Sequence, residues 1–360
     1  MTEATPTPTA HGFDEAALHS WLTKNVAGFT GPMTVAKFPG GQSNPTYSIT
    51  TPGQRYVMRA KPGPAAKLLP SAHAVEREYT VMQALHGSGV PVARMLALCN
   101  DESVIGRVFF IMEHVEGRVL WDPALPSMAP AERAAHYAEM NRVIAALHRV
   151  PYAERGLAGY GKPGNYLERQ IGRWGKQYQA SITQPIPEMD ALLEWLPAHI
   201  PASGRDDQAC IVHGDYRLDN MIFHPTEPRV LAVLDWELST LGHPLADFSY
   251  HCMVWHVEPS TQRGLEGLDL AALGIPALDD YMALYCAQSG LSTPEVLRQD
   301  WSFYMAYNLF RLAAIAQGIA KRVEAGTASS AQARAAGASA APRARRAWEW
   351  AKQAHRAQQA

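Results

Sequence analysis

An α+β fold in two parts is predicted by three features of the sequence. Short strand-like runs separated by glycine turns occupy the first third, long amphipathic stretches follow from about residue 114, and strand texture returns once, over Ala209–Leu238. The first part reads as a small antiparallel sheet with one helix, an N-lobe over residues 13–113. The second reads as a larger, mainly helical C-lobe over 114–360. At 360 residues the chain exceeds the usual size of one domain, so a bilobal unit or two domains sharing a cleft is expected.

Each element has its own signal. The Thr/Pro-rich residues 1–12 cannot build a core and read as a flexible tail, with order beginning at a Phe13–Val26 helix. MTVAKF, TYSITT and RYVMRA are short strand patterns divided by Gly-Gly and Pro-Gly turns. Ala74–His86 carries helical spacing in Val75, Tyr79, Met82 and Leu85, and strands follow around 93–98 and 107–112. Beyond HVEGRVL, helices are expected at 130–149, 166–180, 187–200, 277–288, 294–323 and 342–358, the last opening on a proline suited to a first turn. The apolar runs ACIVH, NMIFH and RVLAVLDW read as a small hairpin region carrying loop residues, and the Ala/Ser/Gly-rich stretch 326–341 reads as a loop.

Composition narrows the class. With 47% hydrophobic and 18% charged residues the chain is ordinary for a folded protein, and a net charge of −2 gives no sign of a nucleic-acid partner. Four scattered cysteines without a C-x-x-C pair suggest neither a zinc site nor a disulfide framework, which fits a reducing cytoplasm. No basic-then-apolar leader and no membrane-length apolar run are present, so no membrane partner is expected.

The strongest chemical signal is IVHGDYRLDN at 211–220, followed fifteen residues later by Asp235 in VLAVLDWE. Phosphoryl transfer needs a carboxylate to orient and deprotonate the acceptor hydroxyl, and hard oxygen ligands to hold Mg²⁺ against the phosphates. Asp215, Asn220 and Asp235 supply those parts at the required spacing. As mere turn formers, Asp215 and Asn220 would be explained by local hydrogen bonding alone; that reading leaves Asp235 out.

The H-G-D-x-x-x-x-N pattern resembles the catalytic loop of the aminoglycoside phosphotransferase/choline kinase superfamily, whose metal-binding Asp lies on the next strand. The order of Gly-turn hairpin, cationic strand, helix with a Glu, hinge, catalytic loop and metal Asp runs from about Phe38 to Asp247. The wording GGQSNPTY, VHGDYRLDN and LDWELSTLGHPLADF is similar to the subfamily that also forms the N-terminal kinase-like domain of some acyl-CoA dehydrogenase family proteins. The resemblance implies a protein-kinase-like fold and an ATP- and Mg²⁺-dependent phosphotransferase acting on a hydroxyl. It implies Asp215 as base, Asn220 and Asp235 as metal ligands, and His213 and Asp247 as supports of the loop.

On the nucleotide side, Gly41 and Ser43 lie in a glycine turn whose backbone N–H groups can face phosphate. Arg59 falls where kinases place the phosphate-pairing lysine, and Glu78 where the partner helix places its glutamate. Lys61 follows two residues on, so either cation could pair with Glu78. Glu113 and Val115 end an apolar strand as a hinge would, and their backbone groups are candidates for the adenine edge.

Two other functions fit parts of the pattern. His243, Asp247, His251 and His256 recur at spacings open to a metal-dependent hydrolase, although the stretch is as apolar as a buried helix. Arg59 in place of lysine is open to a catalytically silent nucleotide-binding module. For the acceptor, acids beyond Asp300 are only Glu324 and Glu349 against nine Lys and Arg, with Arg217 inside the loop as a possible acceptor contact. That balance favours a neutral or anionic hydroxylated acceptor over a polycation, and the subfamily resemblance makes a hydroxyacyl thioester of coenzyme A one candidate. The sequence carries no reading of oligomeric state.

Overall fold

A computed structural model describes residues 11–38, 44–63, 74–205, 208–259, 264–328 and 330–357, with the side chains of 355–357 excepted. Most of the expected tail, together with Gly41 and Ser43, lies outside the described residues. The chain forms two compact units, each assembled from separate stretches. The first takes Met1–Val119, Ala153–Tyr160 and Asp219–Ser239; the second takes Leu120–Tyr152, Gly161–Leu218 and Thr240–Ala360.

In the first unit, strands β1 (Thr34–Lys37), β2 (Thr46–Thr50), β3 (Arg55–Ala60), β4 (Met95–Cys99) and β5 (Phe109–Glu113) form an antiparallel sheet in the order β1-β2-β3-β5-β4. Side chains alternate across a strand, and the sequence uses both faces. Tyr56, Met58, Ala60, Phe109 and Ile111 point into one core with Leu18, Leu22 and Phe29, beneath helix α1 (Glu15–Asn25). The opposite parity places Phe110 and Met112 against Val75 and Tyr79 of helix α2 (Val75–Leu85). Arg59 shares that second parity, so it faces α2, whose buried stripe of Val75, Glu78, Val81, Met82 and Leu85 includes one carboxylate.

Two arginines explain why distant segments join this unit. Arg77 of α2 donates to the carbonyl oxygens of Tyr160 at 2.8 Å and Ser239 at 3.4 Å. Arg155 donates to those of Ala84, His86 and Gly87 at 3.3, 3.0 and 3.2 Å, satisfying carbonyls that the end of α2 leaves open. The hairpin Met221–Phe223/Val230–Val233 is tied to the chain after β5 by paired Arg118 and Phe223 backbone bonds, both 2.8 Å.

The second unit is helical apart from a short ladder, Cys210–Val212 with Thr240–Gly242. Its helices are α3 (Pro130–His148), α4 (Tyr166–Ala180), α5 (Pro187–Ala198), α6 (Ala202–Arg205), α7 (Pro244–His251), α8 (Leu270–Leu273), α9 (Leu278–Ser289), α10 (Pro294–Glu324), α11 (Ala331–Ala338) and α12 (Ala340–Ala357). The 31-residue α10 packs against α4, α7, α11 and α12. Ala340, Ala344, Ala347, Ala351 and Ala354 recur at helical spacing along α12 and are buried, giving a narrow stripe for close packing.

Two sequence expectations need correction. ACIVH does not join the other two apolar runs in one hairpin; it pairs with Thr240–Gly242, a register that only the tertiary fold specifies. The stretch 326–341 is not all loop, because it contains α11, where alanine favours helix and the Ser330 hydroxyl caps Ala333 N–H at 3.0 Å. No helix among the described residues is long and apolar enough to cross a membrane, and all four cysteines are buried free thiols.

A Cβ added at Gly117 would sit against the Phe223 carbonyl oxygen, which Arg118 N–H already uses. Gly117→Ala is therefore expected to lower stability by about 1–3 kcal/mol, the usual scale of overpacking. Urea denaturation checks it; a variant as stable as the parent would mean that this backbone approach is looser than described.

Candidate active site

The functional candidates of the first unit gather around Arg59. Its Nε lies 2.8 Å from Glu78 Oε2, and its Nη2 lies 2.7 Å from Asp235 Oδ1 and 3.7 Å from Glu237 Oε2. Asn44 Nδ2 donates to the other Glu78 oxygen at 2.8 Å. Glu78 is 2% exposed. Its burial raises the carboxyl pKa to about 7: Arg59 and Asn44 pull it down, while Asp235 pushes it further up. Burial opposes the charge of Arg59, but Glu78, Asp235 and Glu237 outweigh it and raise the guanidinium pKa.

Asp235 holds a left-handed backbone, φ 64° and ψ 62°, at the end of its strand. Aspartate tolerates this conformation better than most side chains, and such strain clusters at functional sites. Leu234 N–H donates to the Asn220 carbonyl at 2.8 Å, which keeps residue 220 beside the strand end that carries Asp235. One carboxylate and one amide oxygen are hard donors of the kind Mg²⁺ prefers.

In the second unit the candidates gather on the loop 213–217. Asp247 of α7, buried, accepts from the backbone N–H groups of His213 and Gly214, each at 2.8 Å, and lies 3.2 Å from His148 Nε2. Burial alone would raise the Asp247 pKa; His148, His213 and these hydrogen bonds more than reverse it and hold it low. Gly214 has φ +83°, a conformation that suits only glycine well, and so its amide can turn to the carboxylate. His213 is buried, and its Nδ1 accepts the Asp215 N–H at 3.2 Å.

Asp215 Oδ1 accepts the Tyr250 hydroxyl at 2.5 Å and lies 3.3 Å from Arg217 Nε. Tyr250 sits three residues after Asp247 on α7, so one helix face meets the loop twice. Arg311 of α10, buried, donates to the Gly214 carbonyl at 2.5 Å and lies 5.0 Å over the Tyr250 ring.

The structure thus brings Arg59, Glu78 and Asp235 together in one unit, and His213, Asp215, Arg217 and Asp247 in the other. The chain passes from one unit to the other between Leu218 and Asp219, so Asp215 and Asn220 are assigned to different units. Lys61 is not with them: it pairs with Glu76, which leaves Glu78 to Arg59. Glu113 turns its side chain and its N–H to Arg94, at 2.9 and 3.0 Å, while Val115 is half-buried. Asn44, Tyr250, Arg311 and His148 escaped the sequence reading. Tyr250 and His148 look like core residues at helical spacing, and Arg311 like one of many C-terminal cations. The hydrolase pattern dissolves: Asp247 faces the loop, His251 meets the Tyr281 hydroxyl at 2.7 Å and His256 meets Trp301 at 3.0 Å.

A five-stranded antiparallel sheet with a buried cation–glutamate pair, in a chain whose larger part is helical, defines a protein-kinase-like phosphotransferase fold. The family model described as "phosphotransferase enzyme family" (APH) matches residues 34–285, and the chain belongs to that family. Acyl-CoA dehydrogenase family member 10 of Mus musculus is 46% identical over 324 residues, covering 89% of this chain and 30% of that protein. The chain therefore spans under half the length of the curated relatives it matches. The crystal structure of a Ralstonia eutropha protein provisionally called an aminoglycoside phosphotransferase is 59% identical, with a TM-score of 0.86, covering 95% of this chain and 99% of that one. Choline kinase of Cryptosporidium parvum shares the fold at 11% identity, TM-score 0.65, covering 94% of this chain and 96% of that one.

Glu78 makes a pH prediction. A carboxyl whose folded pKa lies above its unfolded value binds protons preferentially in the fold, so its contribution to stability falls as pH rises between about 4.5 and 7. The full swing is bounded at about 3.5 kcal/mol, at ~1.4 kcal/mol per pKa unit. Urea unfolding at pH 5 and pH 8 should show a drop in the parent that Glu78→Gln lacks. Equal pH dependence in both proteins would count against a raised Glu78.

Proposed function

We propose that the chain is an ATP-dependent small-molecule kinase that phosphorylates a hydroxyl of a neutral or anionic acceptor. The observation that carries this reading is the bridge made by Arg59 to Glu78 and to Asp235. It joins three residues far apart in sequence, each at the position the kinase pattern assigns to phosphate pairing, helix partner and metal ligand. The bridge speaks against an accidental surface cation, and the intact Asp215 loop speaks against a silent module.

In this mechanism Asp215 orients the acceptor hydroxyl and takes its proton as the oxygen bonds to the γ-phosphorus and the bond to the β,γ-bridging oxygen breaks. The products are the phosphorylated acceptor, ADP and the proton on Asp215. Tyr250 and Arg217 fix the carboxylate through Oδ1. Asp247 and Arg311 fix the loop backbone. Arg59 holds phosphate oxygens with donors kept in place by Glu78. Asn220 and Asp235 would hold Mg²⁺, which when bound neutralises charge on the phosphates. Similarity to part of an acyl-CoA dehydrogenase family protein supports a hydroxyacyl thioester of coenzyme A as the acceptor to try first.

Asp215→Asn is expected to keep its fold and ATP binding and to lose about 10²–10⁴-fold in transfer; wild-type turnover of a competent acceptor would refute the base. Asp235→Ala should instead lose Mg²⁺-dependent nucleotide binding in calorimetry, and binding like the parent's would remove it from the metal site. Between the two cations, Arg59→Ala should weaken nucleotide use roughly ten- to a hundredfold, the scale of a lost charged hydrogen bond. Lys61→Ala should have little effect, and equal effects in the two would break the assignment of Arg59. An ATP-consumption screen over sugars, amino alcohols, choline-like amines, aminoglycosides and hydroxyacyl-CoA compounds tests the acceptor class; turnover confined to the cations would overturn it.

A further inference from the structure

The second unit holds a recess of about 500 Å³ at the N-terminal end of α10. Thr293, Val296 and Asp300 line it at i, i+3, i+7 spacing on one helix face, together with Ser203 of α6, Leu245 of α7 and Leu291. It is not the site of the catalytic loop. Arg311, the α10 residue that holds the Gly214 carbonyl, follows Asp300 at a distance of roughly 16 Å along the helix axis. A space of this size takes a small organic molecule.

Asp300 is the one charged residue among the described residues that line the recess. Its Oδ2 accepts the Ser203 hydroxyl at 2.5 Å, and Ser203 Oγ lies 3.1 Å from the hydroxyl of the fully buried Tyr304. No other donor serves Asp300 among the described residues, although a carboxylate offers about four acceptor positions. Burial raises its pKa, which Ser203 only partly offsets. Nor does a cation balance it: Arg298, two residues earlier on α10, pairs with Asp279 at 3.5 Å and Glu295 at 3.7 Å. The first turn of α10 offers an anion little, because Pro294 has no N–H, Val296 N–H goes to Thr293 Oγ1 at 3.3 Å and Leu297 N–H to the Thr293 carbonyl at 3.1 Å. The recess therefore pairs an acceptor short of donors with apolar walls.

We propose that this recess binds a small organic cation, a primary amine on an apolar body, with the ammonium on Asp300 and the body against Leu245, Leu291 and Val296. An ammonium brings three donors and the charge that Asp300 lacks. The inference goes beyond the kinase reading and depends on neither Asp215 nor the nucleotide. The amine is a ligand of this recess and not the phosphorylated acceptor.

The test uses two amines, 2-phenylethylamine and cyclohexylmethylamine, against their neutral counterparts 2-phenylethanol and cyclohexylmethanol, on the full chain without nucleotide. Binding is followed by calorimetry and by the amide resonances of Ser203, Val296 and Asp300. At least one amine should bind and shift those resonances, its alcohol should bind roughly tenfold or more weakly, and Asp300→Asn should erase the difference. Val296→Trp, which fills the recess without touching its charge, should abolish binding. Asp279→Asn, an exposed acid of the same unit, and Asp215→Asn should bind the amine like the parent. Melting curves and circular dichroism confirm that each variant folds. Failure of both amines to bind, equal binding of amines and alcohols, or binding unchanged in Asp300→Asn and Val296→Trp overturns the site and leaves a water-filled crevice. Loss of amine binding in Asp215→Asn would place the amine at the catalytic loop and overturn it as well.

Discussion

The buried carboxylate of Asp247 is the constraint on which the second unit's chemistry rests. A carboxylate removed from water is tolerated only when its oxygens are supplied with donors. Here the donors are the amides of His213 and Gly214, with His148 alongside. The satisfaction is mutual. The loop's left-handed turn at Gly214 leaves amides that need an acceptor, and the α7 carboxylate needs donors, so each fixes the other. Asp215, the next residue, inherits its placement from a backbone that is pinned at two successive amides on one side and by Arg311 at a carbonyl on the other.

Glu78 is equally buried and titrates in the opposite sense, and the difference is one of donors. Asp247 meets two backbone N–H groups and a histidine, and its pKa is held low. Glu78 meets one side-chain amide and an arginine whose charge is shared with Asp235 and Glu237, and burial wins, up to about 7. A carboxyl raised toward neutrality sits beside an arginine that also touches Asp235, whereas the second unit's loop is held by hydrogen bonds to an ionised carboxylate. Hydrogen bonding to the charged form decides which carboxylate is a fixed anchor and which is adjustable.

Much of this was legible because local patterns and tertiary needs agree. RYVMRA and the 166–180 helix have the predicted bounds, since a short apolar run closed by turns in one, buried on both faces, and a 3.6-residue stripe in the other match what they bury. The spacing from Asp215 to Asn220 and Asp235 is local enough to be read. What escaped was long-range. Tyr250 and Arg311 reach the loop, and His148 reaches Asp247, across 35, 97 and 99 residues of sequence, and nothing in their own neighbourhoods distinguishes them from packing residues. The choice between Arg59 and Lys61 was open on the strand alone. It is closed by helix phase, because Glu78 lies on the buried stripe of α2 and Glu76, which takes Lys61, does not.

Why an arginine stands at 59 follows from that phase. A lysine offers one compact ammonium, and on the same strand it could sit between Glu78 and Asp235 only by dividing a single charge centre between them. The guanidinium separates the tasks: Nε serves Glu78 and Nη2 serves Asp235, with Glu237 within 3.7 Å. One side chain can therefore keep its hold on the helix while the other end changes partners. Asp235, in its left-handed conformation and partly exposed, is the member with the least other constraint from burial, and Glu78, buried and held by Asn44, is the one with the most. Any oxyanion that competes for Nη2 would thus displace the Asp235 contact first and leave the Arg59–Glu78 pair intact, which is the order that the proposed phosphate-pairing role of this arginine would need.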